Sequence, residues 1–160
     1  MRDDIPTLRL VLKDSQTVAI VGLSAEWHRP SNFVAKYLQS HGWRIVPVNP
    51  RYPQILGETS YARLEDIPFP VDMVDVFRRS EDVLPIAHSA VAIGARCFWQ
   101  QIGVVNADAD ALAQAAGLDT VMDRCVKIEH ARLFGGLNFV GVDTKVISAR
   151  RPLTSAPPRR

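Results

Sequence analysis

The sequence of 160 residues contains few cysteines, little excess of charge and no long apolar run. Its two cysteines, Cys97 and Cys125, are too few for a disulfide framework and fit a reducing compartment. The 19 basic residues are nearly balanced by 17 acidic ones, so no basic face of the kind that binds nucleic acid is expected. No apolar stretch approaches the ~20 residues of a membrane span. These absences predict a cytoplasmic protein that binds neither nucleic acid nor a membrane.

Several catalytic and metal-binding motifs are also missing. The 4 histidines and the 2 cysteines show no zinc-ligand spacing. Gly22-Leu23-Ser24 lacks the glycine that would complete a nucleophile elbow, and no Walker lysine is present. A dinucleotide-binding loop would carry two further glycines and an acid at the end of the second strand, which instead ends in Val48-Asn49-Pro50-Arg51. The sequence therefore argues against a zinc site, a serine hydrolase, a P-loop ATPase and an NAD enzyme.

The stretch from Thr17 to Asn32 is where the sequence does predict a binding site. An apolar run ends at Gly22 and is followed by a polar loop and a helical pattern. A buried strand that enters a helix through a glycine turn brings backbone N–H groups and the positive end of the helix dipole together, which favours phosphate. Arg29 adds a bidentate cation, and Ser31 is the predicted N-cap of the helix. An ordinary strand-to-helix turn with a plain cap is the alternative.

Helical and strand patterns alternate along the rest of the chain. A helix is predicted from Ile5 to Asp14, and Asn106 and Gly117 carry the cap and stop signals of another. Pro47 predicts that the ladder of the second strand ends early. The remaining predicted elements are helices over 31–41, 81–92 and 127–133 and strands over 18–21, 43–48, 71–77, 95–100 and 118–122. This alternation predicts a single α/β domain with a doubly wound, mostly parallel, five-stranded sheet and helices on both faces.

The ends of the predicted strands indicate where a cleft lies. Ligands of such folds bind outside the carboxyl ends of the strands, so the loops after Val21, Val48, Val76 and Trp99 are expected to surround one cleft. Arg51 follows the second strand, where its guanidinium suits a phosphate near the ribose of a nucleotide. NADP and coenzyme A (CoA), which has a 3′-phosphate, both fit this position.

Two further groups of residues leave a choice between function and structure. Trp99 and the two glutamines after it either hydrogen-bond the amides of a ligand and close the cleft, or pack and cap within the fold. Basic neighbours of Cys125 either increase its thiolate character, or the thiol is simply buried. In the second case Asp123 caps the final helix and Glu129 pairs with a basic residue. The residue types favour the structural interpretation, because free cysteines are among the most buried residues.

Seven motifs occur in a recognisable order and spacing: VAIVGLS, RPS, VPVNPRY, GETSYARLEDIP, VDMVDVFRRSEDV, WQQIG and MDRCVKIEHARL. Together they resemble the stand-alone CoA-binding domain proteins, relatives of the N-terminal CoA-binding domain of the succinyl-CoA synthetase alpha subunit. The resemblance spans roughly residues 17–150. It implies a Rossmann-like fold with CoA or an acyl-CoA as ligand.

The resemblance also implies roles for individual residues. The pyrophosphate would be held by Gly22, Leu23, Ser24, Arg29 and Ser31. The adenine and the 3′-phosphate would lie against Asn49, Pro50 and Arg51. The pantetheine path would be lined by Val76, Phe77 and Arg78. Each set has a plainer alternative, because Asn-Pro is a common turn, an aromatic residue at a strand end can belong to the core, and paired arginines can be the solvated start of a helix.

We therefore expect a cytoplasmic CoA- or acyl-CoA-binding protein without catalytic turnover of its own. The acyl-CoA synthetases that this domain resembles use further domains, for which 160 residues leave no room. The expected organisation is a leading helix over 1–16, the CoA-binding domain over 17–150 and a disordered tail over 151–160. The alternative is a small NADP-dependent or thiol-redox enzyme that uses the same cleft and Cys125. A homodimer or a partner enzyme is compatible with both.

Overall fold

A computed structural model of the chain describes residues 4–135. Five helices and seven strands alternate along this part of the chain. The helices are α1 (Ile5–Asp14), α2 (Pro30–Ser40), α3 (Val83–Ala92), α4 (Ala107–Ala115) and α5 (Val126–Phe134). The strands are β1 (Thr17–Val21), β2 (Arg44–Val48), β3 (Gln54–Ile55), β4 (Glu58–Thr59), β5 (Met73–Val76), β6 (Cys97–Gln100) and β7 (Asp119–Val121).

The main sheet has five parallel strands in the order β2-β1-β5-β6-β7. The chain first adds β2 on one side of β1 and then returns to place β5 on the other side. The strand order therefore reverses between β1 and β5, and a crevice forms at the carboxyl ends of these two strands. The predicted α/β architecture with its doubly wound parallel sheet is confirmed.

Apolar layers cover both faces of the sheet. One layer packs Leu8 of α1 and Leu38 of α2 with Val126 of α5, while the other contains Ala87 of α3 and Ala109 of α4. Burial on both faces explains why the central strands read as continuous apolar runs rather than as an alternation. The leading helix α1 shares its core with the sheet, since Leu8 is fully buried.

Helices α1 and α4 begin where their predicted capping residues indicate. Helix α1 has the predicted bounds, and the side chain of Asp4 accepts a hydrogen bond from the Thr7 N–H. Helix α4 follows Asn106, whose Oδ1 accepts from the Ala109 N–H at 2.9 Å. In both cases a side-chain oxygen satisfies a donor that helix geometry leaves unpaired.

The prediction for Pro47 was wrong. The β1–β2 register continues through Pro47 to Val48, which pairs with Val21. β2 is an edge strand of the sheet, and the Pro47 carbonyl accepts from the Tyr61 N–H on the side away from β1. A proline there lacks an N–H on the outer side of an edge strand, where no ladder bond is lost.

Some predictions fall outside the part that the structure describes. The segment after residue 135, including the end of the expected 17–150 domain and the expected tail over 151–160, lies outside the described residues. Within residues 4–135 no helix has the length and apolar character needed to cross a bilayer.

Candidate functional site

A cleft of about 350 Å³ lies at the carboxyl ends of β1, β2 and β5, where the strand order reverses. The loops that follow these three strands, together with the start of α2, supply its walls. The lining residues are Gly22, Ser24, Glu26, Arg29, Pro30, Ser31, Asn49, Arg51, Tyr52, Phe77 and Arg78. The predicted position of the cleft is thus confirmed for three of the four expected loops. The loop after Trp99 is not part of this lining.

Gly22 joins the three loops by close backbone packing. Its N–H donates to the Val48 carbonyl at 3.0 Å, and the neighbouring Val21 carbonyl accepts from the Phe77 N–H at 2.8 Å. The φ of Gly22 is +86°, and a Cβ at this position would lie 2.4 Å from the Phe77 carbonyl oxygen. Glycine is therefore required by the contact between two protein loops as well as by its positive φ.

Ser31 has a different role from the predicted one. Helix α2 begins at Pro30, and Arg29 occupies the N-cap position without a capping hydrogen bond from its side chain. Because proline suits the first helical position, the helix begins one residue earlier than expected and Ser31 lies inside it. The Ser31 hydroxyl instead accepts from the Ser24 N–H at 3.0 Å, and Asn32 Nδ2 donates to the Ser24 carbonyl at 2.9 Å. These two bonds hold the loop after β1 against the helix.

The N-terminus of α2 gives this wall of the cleft a positive potential. The helix has 11 residues and no acidic residue in its first turn. Pro30 has no N–H and the Asn32 N–H donates to the Arg29 carbonyl at 3.0 Å, but the helix dipole is positive at this end, so an anion is favoured beside Ser31. Ser24 and Ser31 add hydroxyl groups at the same place.

Three arginines line the cleft from three different loops: Arg29, Arg51 and Arg78. The chain itself supplies a carboxylate to the first of them, since Arg29 Nε donates to Glu26 Oε2 at 3.0 Å. This hydrogen bond is the main reason why the pKa of the Glu26 carboxyl lies below its usual value. The cleft therefore combines two kinds of anion-binding group, guanidinium side chains and a helix N-terminus.

Asn49 shapes the corner after β2. It is buried, its Nδ2 donates to the Leu23 carbonyl at 2.9 Å, and its Oδ1 accepts from the Arg51 N–H at 3.0 Å. The side chain thus ties this corner to the loop after β1 and closes a turn around Pro50. Asn49 thus forms the turn that was the plainer alternative for it, while it also lines the cleft, and the turn places Arg51 and Tyr52 there.

Three of the residues predicted for the site do not line the cleft: Leu23, Pro50 and Val76. Leu23 and Val76 are fully buried in the two apolar layers, whereas Pro50 is exposed. Val76 and Phe77 point to opposite faces because side chains alternate along a strand. Phe77 both packs against the core and lines the cleft.

Sequence reasoning missed Glu26, Pro30 and Tyr52, all of which line the cleft. Glu26 lies in the same loop as Ser24, and Tyr52 directly follows Arg51. The converging strand ends were the signal that could have identified them, since any residue of the loops that follow these strands is a candidate for the lining of the cleft.

Trp99 and the glutamines after it have structural roles. Trp99 is fully buried and its Nε1 donates to the Arg124 carbonyl at 2.7 Å. Gln100 Oε1 accepts from the Asn106 N–H at 2.8 Å, and Gln101 Nε2 donates to Asp75 Oδ1 at 2.8 Å. The packing and capping alternative is confirmed for this motif.

The segment around Cys125 is structural as well. Burial raises the pKa of the Cys125 thiol, which is opposite to the activation that a reactive thiolate requires. Glu129 is fully buried between Arg124 and Arg132, as the expected pairing requires. The prediction that Asp123 caps the last helix was wrong. Cys125 occupies the N-cap of α5, and Asp123 accepts from the Gly103 N–H at 2.7 Å instead.

Cys97 and the histidines offer no further chemistry in the described part of the chain. Burial raises the pKa of the Cys97 thiol well above its usual value. Among residues 4–135 no group of three histidine, cysteine, aspartate or glutamate side chains could hold a metal ion. The site that remains is the arginine-lined cleft.

Comparison with known proteins assigns the chain to a family. The family model described as "CoA binding domain" matches residues 16–131. The chain is 38% identical over 124 residues to the uncharacterized protein YneT of Bacillus subtilis (strain 168), covering 78% of this chain and 92% of that protein.

Two solved structures have the same fold over most of the chain. A hypothetical protein from Pyrococcus horikoshii OT3 is 36% identical with a TM-score of 0.79, covering 81% of this chain and 92% of that one. A protein from Thermus thermophilus is 34% identical with a TM-score of 0.78, covering 84% of this chain and 100% of that one. This chain therefore belongs to the CoA-binding domain family.

Proposed function

We propose that the cleft binds CoA or an acyl-CoA and that the protein acts as a cytoplasmic CoA-binding module without catalytic turnover of its own. The observation that carries the proposal is the convergence of Arg29, Arg51 and Arg78 on the N-terminus of α2 in a chain of the CoA-binding domain family. CoA carries two separated phosphate groups, a diphosphate and a 3′-phosphate. The cleft offers cations on separate loops to receive both.

The proposed binding mode follows the positions of these groups. The diphosphate lies at the N-terminus of α2, where Ser24, Ser31 and Arg29 provide donors. The 3′-phosphate pairs with Arg51 on the corner after β2. The pantetheine arm leaves along Phe77 and Arg78, at the end of β5. Among residues 4–135 neither Arg51 nor Arg78 has a carboxylate partner within ion-pair distance, so both are available to a phosphate.

The absence of turnover is proposed from the chemistry around the cleft. The two thiols of the chain have raised pKa values because both are buried. Asp75 lies in β5 and does not line the cleft, and burial raises its pKa to about 8. Neither thiol is among the residues that line the cleft, and the Glu26 carboxylate, which does line it, is hydrogen-bonded to Arg29.

Thermal unfolding of the purified full chain tests ligand identity. CoA, acetyl-CoA, dephospho-CoA, NADP, NAD and ATP are compared at equal concentrations. A ligand present at 100 times its Kd stabilises the folded state by about 2.7 kcal/mol, and CoA and acetyl-CoA are expected to give the largest increase in Tm. A rise with NADP alone would overturn the proposal in favour of the NADP-dependent alternative.

Chromatography of acetyl-CoA incubated with the protein tests the second part of the proposal. The thioester is expected to remain intact over a period in which binding is saturated. Loss of the acetyl group at a rate that depends on protein concentration would show that the protein is an enzyme.

A further inference from the structure

Glu26 places a carboxylate of the chain itself in the anion-binding cleft. The residue lies on the loop between β1 and α2 and lines the cleft beside Ser24 and Arg29. Its Oε2 accepts from Arg29 Nε at 3.0 Å and lies 3.7 Å from His28 Nε2. The positive charge of Arg51 also acts on this carboxylate. The Glu26 carboxylate is therefore surrounded by the positive groups of Arg29 and Arg51 and by the His28 ring.

A ligand phosphate can replace the Glu26 carboxylate as the partner of Arg29. About half of each side chain is exposed, with 50% for Glu26 and 61% for Arg29, and exposed pairs of this kind are held weakly. A diphosphate offers more negative charge and more acceptor oxygens than one carboxylate, so it competes well for the same guanidinium.

The backbone keeps Glu26 close to the cleft after displacement. The Glu26 N–H donates to the Ser24 hydroxyl at 3.1 Å, and the Glu26 carbonyl accepts from the Arg29 N–H at 3.1 Å. The carboxylate then remains near the bound anion and repels it. The cost of this repulsion falls on every anion, and only a ligand with several phosphate contacts can offset it.

We propose that Glu26 lowers the affinity of the cleft for every anion by occupying Arg29 in the free protein, so that only ligands with several phosphate contacts, such as those with a diphosphate, bind at low concentration. This inference rests on the proposed CoA-binding function. It adds a residue that weakens the binding of all anions, so that an anion with a single phosphate contact no longer binds at low concentration.

Isothermal titration calorimetry with inorganic pyrophosphate, inorganic phosphate and CoA tests the inference on the full chain. In Glu26→Gln the Kd for pyrophosphate and for CoA is expected to decrease about fivefold, the order expected when one like charge near the ligand is removed in water. Binding of inorganic phosphate, which carries less charge, is expected to improve by the same factor or a smaller one.

Asp82→Asn is the matched control. Asp82 accepts from Arg79 Nε at 3.1 Å with the same spacing of three residues, and neither residue lines the cleft. This variant changes the net charge by the same amount and is expected to leave all three Kd values unchanged. A similar improvement in both variants would show a general charge effect and would overturn the inference.

Arg29→Ala shows whether Glu26 acts through Arg29. In the Arg29→Ala background the effect of Glu26→Gln is expected to be smaller than in the wild type, as a double-mutant cycle detects. An unchanged or increased Kd in Glu26→Gln would overturn the inference, since the carboxylate would then be neutral toward the ligand or contact it favourably.

The failure of the proposed function has a different signature. If CoA does not bind any variant while pyrophosphate still binds more tightly to Glu26→Gln, the role of Glu26 holds and the CoA-binding proposal fails. If CoA binds the wild type but the Kd values for CoA and pyrophosphate are the same in Glu26→Gln, the CoA-binding proposal holds and the role of Glu26 fails. If neither CoA nor pyrophosphate binds any variant, both proposals fail.

Discussion

Gln101 donates a hydrogen bond of 2.8 Å from Nε2 to Oδ1 of Asp75, and neither side chain is more than 1% exposed to solvent. Asp75 lies in β5, one residue before the end of the strand that leads into the cleft. Removal from water disfavours the charged form, so burial raises the pKa of Asp75 to about 8 in spite of this hydrogen bond. The carboxyl group of Asp75 is therefore largely protonated near neutral pH.

The raised pKa of Asp75 predicts that the free energy of unfolding decreases as the pH rises. The pKa is about 8 in the folded state against 3.8 ordinarily, so between these values the folded state binds a proton that the unfolded state does not. The stabilisation by this group is complete below pH ~4, falls as the pH rises and is lost above pH ~8. Because one pKa unit corresponds to about 1.4 kcal/mol, the difference across this window amounts to several kcal/mol.

Asp75→Asn, measured by urea unfolding between pH 5 and pH 9, checks this expectation. The amide oxygen still accepts from Gln101, but no proton is lost at high pH. The variant is expected to be similar to the wild type at pH 5 and more stable by roughly 4 kcal/mol at pH 9. Parallel stability curves for the two proteins would contradict the assignment.

Gly22→Ala is expected to lower the free energy of unfolding by about 2–4 kcal/mol. The added Cβ meets the Phe77 carbonyl oxygen at 2.4 Å, in addition to the cost of a positive φ for alanine. Gly42→Ala is the control, because Gly42 has a φ of +85° but nothing within 4 Å of its Cβ position. Denaturant unfolding of both variants separates the two effects. Equal losses would show that only the backbone conformation matters at Gly22.

Arg51→Ala is expected to weaken the binding of CoA about tenfold or more and to leave dephospho-CoA almost unaffected. The reason is that only CoA carries the 3′-phosphate proposed to bind Arg51, and a hydrogen bond to a charged group contributes roughly 1.5–3 kcal/mol. Calorimetric Kd values for the two ligands provide the measurement. Arg63→Ala, at an exposed arginine that does not line the cleft, is the control. Equal losses for the two ligands would remove Arg51 from this role.

The lowered pKa of His130 predicts that the free energy of unfolding decreases in acid. Its Nδ1 is hydrogen-bonded to the Tyr37 hydroxyl at 2.9 Å, and its pKa is lowered from 6.5, first by burial and then by the nearby His41. The folded state therefore binds this proton less readily than the unfolded state, so this contribution is present above pH ~6.5 and decreases as the pH falls below it.

His130→Gln is expected to reduce the slope of stability between pH 6.5 and pH 5. His88→Gln, at an exposed position, is the control. Urea unfolding at several pH values measures both variants, and an unchanged slope in His130→Gln would exclude His130 as the cause.

Features that depend on neighbours in the chain were predictable. Helix α1 has the predicted bounds, and Asn106 caps α4, because capping and periodicity act within one or two turns of helix. The alternation of strands and helices predicted the parallel sheet, and the parallel sheet predicted the position of the cleft. Arg29 and Arg51 line the cleft because they follow the strand ends at which ligands bind in such folds.

Features that depend on distant residues were not predictable. Pro47 is tolerated because β2 is an edge strand of the sheet. Asp123 does not cap the last helix, because it accepts a hydrogen bond from the Gly103 N–H of another loop. Gly22 packs against the Phe77 carbonyl, which lies 55 positions further along the chain in the sequence.

The sequence by itself determined the fold class, the order of the elements and the edge of the sheet that carries the site, since these follow from local patterns and from the geometry of parallel strands. The tertiary structure alone decided which side chains meet there. It buried Leu23 and Val76 and brought Arg29, Arg51 and Arg78 from three loops to one cleft. The physical reason is that burial and pairing depend on contacts between loops, and no local pattern along the chain encodes those contacts.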